Sequence, residues 1–194
     1  MKRNYFFTVM AFLALLGLSQ PLLANEKSDL KASMKKSIGD VTSIIQDKSI
    51  AKDARNTQVD AIVRPLFDFG LMGKLSLGKK AWKKLSKTER KEFSRLFEER
   101  VMQSYISKLD LYSDEVVVIE EPIKVKKRLH LPTYMMRKNE KRDILYKFYK
   151  SKKRGWLIYD VDILGVSIIQ TYRTQFASIL KKDSFGVLLS KLKT

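Results

Sequence analysis

Few side chains in this sequence could carry out covalent chemistry. It contains one histidine, His130, and no cysteine among its 194 residues. The lack of cysteine excludes disulfides, thiolate zinc sites and thiol nucleophiles. A catalytic triad or a histidine-rich metal site needs partners for His130 that no nearby motif supplies. We therefore expect no metal and no cofactor, and we expect His130 to be a solvated surface residue.

The carboxylates offer the other route to catalysis. Asp160 and Asp162 are two residues apart, so they would share one face of a strand and could form an acid–base pair. They could instead pair with nearby lysines and arginines, or lie at the end of a sheet. Asp68, between Phe67 and Phe69, fits a helix cap or an ion-pair partner. Because no second catalytic group accompanies these residues, we predict that the protein is not an enzyme.

The sequence is strongly basic. It has 39 Lys and Arg against 21 Asp and Glu, a formal net charge of +18. Lysine and arginine cluster at Lys79, Lys80, Lys83, Lys84 and Lys87, and again at Lys150, Lys152, Lys153 and Arg154. Such clusters suit phosphate backbones, anionic lipid head groups, or simply a lysine-rich solvated surface. No nucleic-acid-binding motif accompanies them, so we expect no nucleic acid partner.

The elements that position these residues change type along the chain. Apolar residues at helical spacing predict helices near residues 30–45, 50–63, 67–77 and 89–105. Pro65 and Gly78 mark boundaries, and Ser86 with Glu89 forms a capping box for the long helix. Helical spacing returns at residues 166–179, and Asp183 is expected to cap a last helix through Leu192.

Between these helices the period falls to two, which is typical of strands. Alternating or β-branched runs cover residues 115–121, 123–131, 144–149 and 156–163. The last two flank a turn at 151–155 and predict a hairpin. Helices followed by strands and further helices favour an α+β fold with an antiparallel sheet of about four strands.

The first 24 residues have the three parts of a secretory signal peptide. Lys2 and Arg3 precede an apolar run over residues 6–18, and cleavage is expected after Ala24. The apolar run is shorter than the roughly 20 residues that cross a bilayer. We therefore predict an exported protein with a single domain over residues 25–194.

Several separated motifs resemble the MlaC/toluene-tolerance family. The pattern G-W-x-x-Y-D-V, then G-V-S, then Y-R-x-Q-F-x-x-I-L is kept in full between Gly155 and Leu180. Residues 67–78 resemble the family's D-F-x-x-M-A-x-x-x-L-G segment, with Gly73 in place of the usual alanine. Trp82, Leu85, Arg90, Phe93, Phe97 and Tyr105 match the spacing of its long helix. The resemblance covers residues 38–192.

This resemblance implies a periplasmic phospholipid carrier and a curved antiparallel sheet wrapped by helices around an apolar cavity. The partners it implies are an outer-membrane lipoprotein complex and an inner-membrane ABC transporter with an MCE-domain subunit. Such a carrier would maintain the lipid asymmetry of the outer membrane and act as a monomer. A hopanoid or other apolar-lipid carrier and a basic polyanion-binding periplasmic protein are the alternatives.

Strand alternation and the family architecture together suggest which residues would contact lipid. The predicted set comprises Val125, Leu129, Ile144, Tyr146, Phe148, Tyr159, Val161, Val166 and Ile169, with a wall formed by Phe67, Phe69 and Met72.

Overall fold

The computed structural model describes residues 20–106, 115–138 and 140–193, with only the backbone described for residues 20–24. Most of the predicted signal peptide, residues 1–19, therefore lies outside the described residues. No helix in the described part of the chain is both long enough and apolar enough to span a membrane.

The N-terminal half is helical, as the apolar spacing predicts. Its helices are α1 (Gln20–Gln46), α2 (Lys52–Val63), α3 (Phe69–Leu77), α4 (Lys79–Lys84) and α5 (Lys87–Ile106), with a 3₁₀ turn at Arg64–Leu66. The capping box is confirmed, because the Ser86 amide donates to Glu89 Oε2 at 2.7 Å and the Glu89 amide donates to Ser86 Oγ at 3.2 Å.

Six strands and two helices complete the described fold. These are β1 (Val116–Ile119), β2 (Ile123–Val125), β3 (Arg128–Arg137), β4 (Glu140–Ser151), β5 (Gly155–Ile163), β6 (Val166–Ser167), α6 (Ile168–Lys182) and α7 (Phe185–Lys193). The α+β prediction is confirmed, with six strands instead of about four. The hairpin formed by β4 and β5 is also confirmed.

The six strands form one antiparallel sheet. β1 and β2 pair with the same edge of β3, and β4, β5 and β6 follow in order on its other side. Residues 123–131 are not one strand, because the chain reverses at Lys126 and Lys127 between β2 and β3. Sequence reasoning missed this turn because two lysines are not a typical hairpin signal, although Lys126 has a φ of 57°.

One predicted cap is wrong. Asp183 ends α6, where its amide donates to the Ile179 carbonyl at 2.8 Å. The next residue, Ser184, begins α7 instead, because its Oγ accepts from the Val187 amide at 3.4 Å. Adjacent polar residues compete for such a position, and the path of the chain between the two helices selects the serine.

Helices pack against one face of the sheet, which we call the covered face. Residues of α1, α3, α5, α6 and α7 share one buried apolar cluster with residues of β3, β4 and β5. Seven side chains in this cluster have no exposed surface: Met72, Phe93, Phe97, Leu129, Leu131, Ile158 and Leu188. We call the other side of the sheet the opposite face.

Candidate functional site

The covered face is built from three rows of side chains that run across β3, β4 and β5. The strand register places these rows at Leu129–Phe148–Ile158, Leu131–Tyr146–Val161 and Thr133–Ile144–Ile163. Because side chains alternate between the faces of a strand, all three rows point toward the helices. The face is therefore a nearly continuous apolar surface about three strands wide.

The helices supply the apolar layer above these rows. Phe69 and Met72 of α3 and Ile169 of α6 are buried in the same cluster, and Phe67 packs against that cluster while stacking on Phe69. Gly73 allows α3 to approach α5, because a Cβ at this position would lie 3.3 Å from the rings of Phe93 and Phe97. The glycine that departs from the family motif thus lies at a close helix contact.

A cavity of about 290 Å³ opens at the end of the covered face where β5 turns into β6. Its walls come from the end of α5, the β5–β6 turn region and the start of α6: Arg100, Ser104, Tyr105, Ile163, Val166, Ile168, Thr171, Tyr172 and Gln175. Polar and apolar groups share this lining. The cavity is at the lower end of the size range for small-molecule pockets, roughly 300 Å³ and upward.

The structure brings nine of the twelve predicted lipid-contact residues together. They belong to the covered face or to the helix layer above it: Phe67, Phe69, Met72, Leu129, Ile144, Tyr146, Phe148, Val161 and Ile169. Val166 pairs with Ile163 at the cavity rim, but 61% of it is exposed. Whether these residues contact lipid stays a prediction.

Two predicted residues, Val125 and Tyr159, lie on the opposite face. Val125 pairs with Arg128 across the two-residue turn, so it shares a face with Arg128 and not with Leu129. A β-bulge shifts the pairing of β5 where Lys147 meets Asp160 and Phe148 meets Ile158, leaving Tyr159 as the extra residue.

Contacts around Tyr159 confirm its orientation. Its hydroxyl accepts a hydrogen bond from Arg128 Nη1 at 2.8 Å, and the Arg128 guanidinium lies 4.4 Å from the ring centroid. The Tyr149 ring packs edge-on against it. Tyr159 also belongs to the buried apolar cluster, so strict alternation does not describe its position across the bulge. Its contact with lipid stays a prediction.

Sequence reasoning also missed residues of the covered face. Leu131, Thr133, Ile158 and Ile163 complete the three rows but were absent from the predicted set. Leu131 is two residues from Leu129 in an alternating strand, and this spacing was a usable signal that both share a face. Ile158 had none, since its direction depends on the bulge.

A charged network occupies the opposite face. Lys147 Nζ donates to Asp160 Oδ2 at 3.0 Å and to Asp162 Oδ1 at 2.6 Å. Asp160 also accepts from Ser167 Oγ and from the Ile169 amide, which ties β5 to the start of α6. The alternative that both aspartates pair with a basic residue is confirmed. Burial lowers the pKa of Lys147, but its hydrogen bonds to Asp162 and Asp160 outweigh this and raise the pKa overall.

Asp68 is a helix cap, as its apolar setting suggested. Its Oδ1 accepts from the Leu71 amide at 2.8 Å at the start of α3, and its Oδ2 accepts from the Tyr149 hydroxyl. Burial and the hydrogen bond to Asp68 raise the pKa of Tyr149. The carboxylate therefore links α3 to the sheet.

His130 is half-buried on the opposite face, which corrects the prediction of a solvated residue. Burial and the nearby Lys147 ammonium lower its pKa, so the imidazole favours the neutral form. Among the residues that the structure describes, no three histidine, aspartate or glutamate side chains are grouped as metal ligands.

The sequence is similar to proteins of a known family. The family model described as MlaC protein matches residues 35–194. The intermembrane phospholipid transport system binding protein MlaC of Haemophilus influenzae is 26% identical over 117 residues, 58% of this chain and 55% of that protein. The chain thus matches over about half the length of this curated relative.

A solved structure shares the fold. A phospholipid-binding protein from Ralstonia solanacearum, determined in complex with a phospholipid, superimposes with a TM-score of 0.73. The match covers 84% of this chain and 94% of that chain at 21% sequence identity. Because the family model extends over most of the sequence, this protein belongs to the MlaC family.

Proposed function

We propose that this protein is a periplasmic phospholipid carrier that holds acyl chains between the covered face and the helices. The observation that carries the proposal is the three-row apolar surface of β3, β4 and β5, which faces a helix layer that is itself apolar. The Haemophilus influenzae relative and the Ralstonia solanacearum structure support a phospholipid as the ligand, by their names.

The energetics explain why such a carrier needs an extended apolar interior. Burying a methylene group contributes about 0.8 kcal/mol, so two chains of about 15 methylenes each represent about 24 kcal/mol. A carrier must match most of this to extract a lipid from a membrane. The rows that contain Leu129, Leu131 and Ile144 provide such a surface, while the head group remains in water.

The proposed contact set follows from the faces of the sheet. It keeps the nine predicted residues on the covered side and adds those that complete the rows, Leu131, Thr133, Ile158 and Ile163. Val166 is proposed as a rim residue of the cavity. Val125 and Tyr159 are left out because they lie on the opposite face.

The proposed role places the protein between two membranes. It would exchange lipid with an outer-membrane lipoprotein complex and with an inner-membrane ABC transporter that has an MCE-domain subunit, and so maintain outer-membrane lipid asymmetry. Asp160, Asp162 and Lys147 form a structural network in this proposal and no catalytic role is assigned to them.

Native mass spectrometry of protein purified from the periplasm, followed by lipid extraction under denaturing conditions, tests the proposal. We expect a stoichiometric adduct with the mass of a diacyl phospholipid. A hopanoid mass would change the ligand class, and an apo mass with no lipid in the extract would contradict the carrier function.

Two neighbouring residues of β4 provide a matched pair of variants. Ile144 lies on the covered face and Leu145 on the opposite face, and both are half-buried. Ile144→Trp should lower the phospholipid occupancy, whereas Leu145→Trp should retain it. Thermal unfolding of both variants checks that each is folded. Equal occupancy in the two folded variants would contradict the assignment of the site to the covered face.

A further inference from the structure

The sheet topology brings two basic turns to the same end of the molecule. Arg128 of β3 pairs with Tyr149 of β4, just beyond the turn formed by Lys126 and Lys127. After Tyr149, the last two residues of β4 lead into the β4–β5 turn at residues 152–154. Since neighbouring strands are about 4.8 Å apart, the centres of the two hairpins are separated by about 10 Å.

Five lysines at this end are exposed: Lys124, Lys126, Lys127, Lys152 and Lys153. None of their ammonium groups forms an ion pair or a side-chain hydrogen bond with the residues that the structure describes. The neighbouring arginines are used internally, because Arg128 donates to Tyr159 and Arg154 donates to the Pro65 carbonyl at 2.8 Å. The lysines are therefore available to a partner.

Exposed apolar side chains lie among these lysines. Ile123 is 53% exposed and Val125 is 38% exposed, and both lie on the opposite face of β2. Lys124, between them in the sequence, pairs with Leu129 and lies on the other side of the strand. We call residues 123–127 together with 152 and 153 the basic tip. It combines branched aliphatic groups with positive charge over a short stretch of surface.

We propose that the basic tip docks the protein onto the surface of a lipid bilayer that contains anionic phospholipids. Lysines near such a surface are attracted to the anionic head groups, and apolar side chains at the same site can enter the head-group region. Protein interfaces are depleted of lysine and enriched in arginine, so the lysine-rich tip favours a membrane over a protein partner. This inference goes beyond the proposed carrier function and does not require a bound lipid.

The charge count sets the expected size of the effect. Each lysine near an anionic membrane contributes about a fivefold increase in binding, so neutralising two should weaken binding by about 25-fold. The attraction should also fall as salt is added, because ions screen exposed charges.

Vesicle co-sedimentation of the full-length mature protein tests the proposal. The vesicles are phosphatidylcholine alone and an equal mixture of phosphatidylcholine and phosphatidylglycerol. We expect binding to the mixed vesicles and a loss of about 25-fold for Lys126→Gln/Lys127→Gln and for Lys152→Gln/Lys153→Gln. The matched control, Lys79→Gln/Lys80→Gln on α4, removes the same charge from the other basic cluster and should reduce binding less than about threefold.

A third variant tests the apolar part of the tip. Ile123→Ser/Val125→Ser keeps every charge and should weaken binding most visibly at high salt, where electrostatic attraction is screened. Wild-type protein that does not distinguish the two vesicles, or an equal loss in the α4 control, would overturn the proposal. Retention of bound phospholipid by the tip variants, measured by native mass spectrometry, separates this result from a failure of the carrier function.

Discussion

The two faces of the same sheet are stabilised by different kinds of interaction. On the covered face, Leu129, Leu131 and Phe148 contact the helices through apolar packing, which has no preferred direction. On the opposite face, Lys147 and Asp160 form directional hydrogen bonds that tie strands to each other and to α6. An acyl chain can replace apolar packing but not a network of charged hydrogen bonds. Under the proposed carrier function, the covered face exchanges ligand while the opposite face keeps the sheet intact.

The largest expected effect is on the covered face. Phe148→Ala removes a ring that is 2% exposed and should lower the free energy of unfolding by about 3–5 kcal/mol. Chemical denaturation of lipid-free protein measures this loss. A loss below about 1 kcal/mol would mean that the covered face is not packed as a core in the lipid-free state.

The charged network of the opposite face gives the next effect. Asp160→Asn weakens the contact with Lys147 and the hydrogen bonds from Ser167 and Ile169, and should cost about 2–3 kcal/mol. Asp143→Asn, at an exposed ion pair with Lys141, is the control and should cost less than about 1 kcal/mol. Equal losses of unfolding free energy in the two variants would contradict the claim that the buried network stabilises the protein more than the surface pair does.

Tyr146 on the covered face should make the stability of the protein depend on pH. Burial raises its pKa from 10.0 to about 12, so an unfolded chain releases this proton at lower pH than the folded protein does. The corresponding stability is present below pH 10 and is lost as the pH rises from 10 toward 12. Between neutral pH and pH 11, the free energy of unfolding should fall in both proteins. The fall should be about 1 kcal/mol smaller for Tyr146→Phe than for wild type. Chemical denaturation of both proteins at the two pH values measures these losses, and an equal loss in the two proteins would contradict burial of the hydroxyl.

The smallest expected effect lies in the turn that joins β5 to β6 and borders both faces. Leu164 has a φ of 52° and precedes Gly165, which has a φ of 79°. Ile163 pairs with Val166 around them, as in a two-residue hairpin turn that favours Asn-Gly. Leu164→Asn should raise the free energy of unfolding by about 0.5–1 kcal/mol. A decrease would show that the 62% exposed leucine contributes packing that outweighs its backbone strain.

Local features of the fold were predictable from the sequence. The capping box at Ser86 and Glu89, the cap at Asp68 and the end of α3 at Gly78 depend on hydrogen bonds within a few residues. The change from helical to alternating spacing depends on the same short range, and it predicted an antiparallel α+β fold. The family followed from motifs that occur in order along the chain.

Only the tertiary structure decided which residues share a face. The two-residue turn at Lys126 and Lys127 places Val125 on the face that Leu129 does not share. A bulge in β5 breaks the alternation that would relate Tyr159 to Val161. Both the turn and the bulge depend on how a strand pairs with its neighbour, and the residues next to them in the sequence do not determine that pairing. The same pairing brings Lys127 and Lys152 to one end of the sheet. Periodicity within a segment is a local property, whereas register and proximity come from hydrogen bonds between segments that are distant in the chain.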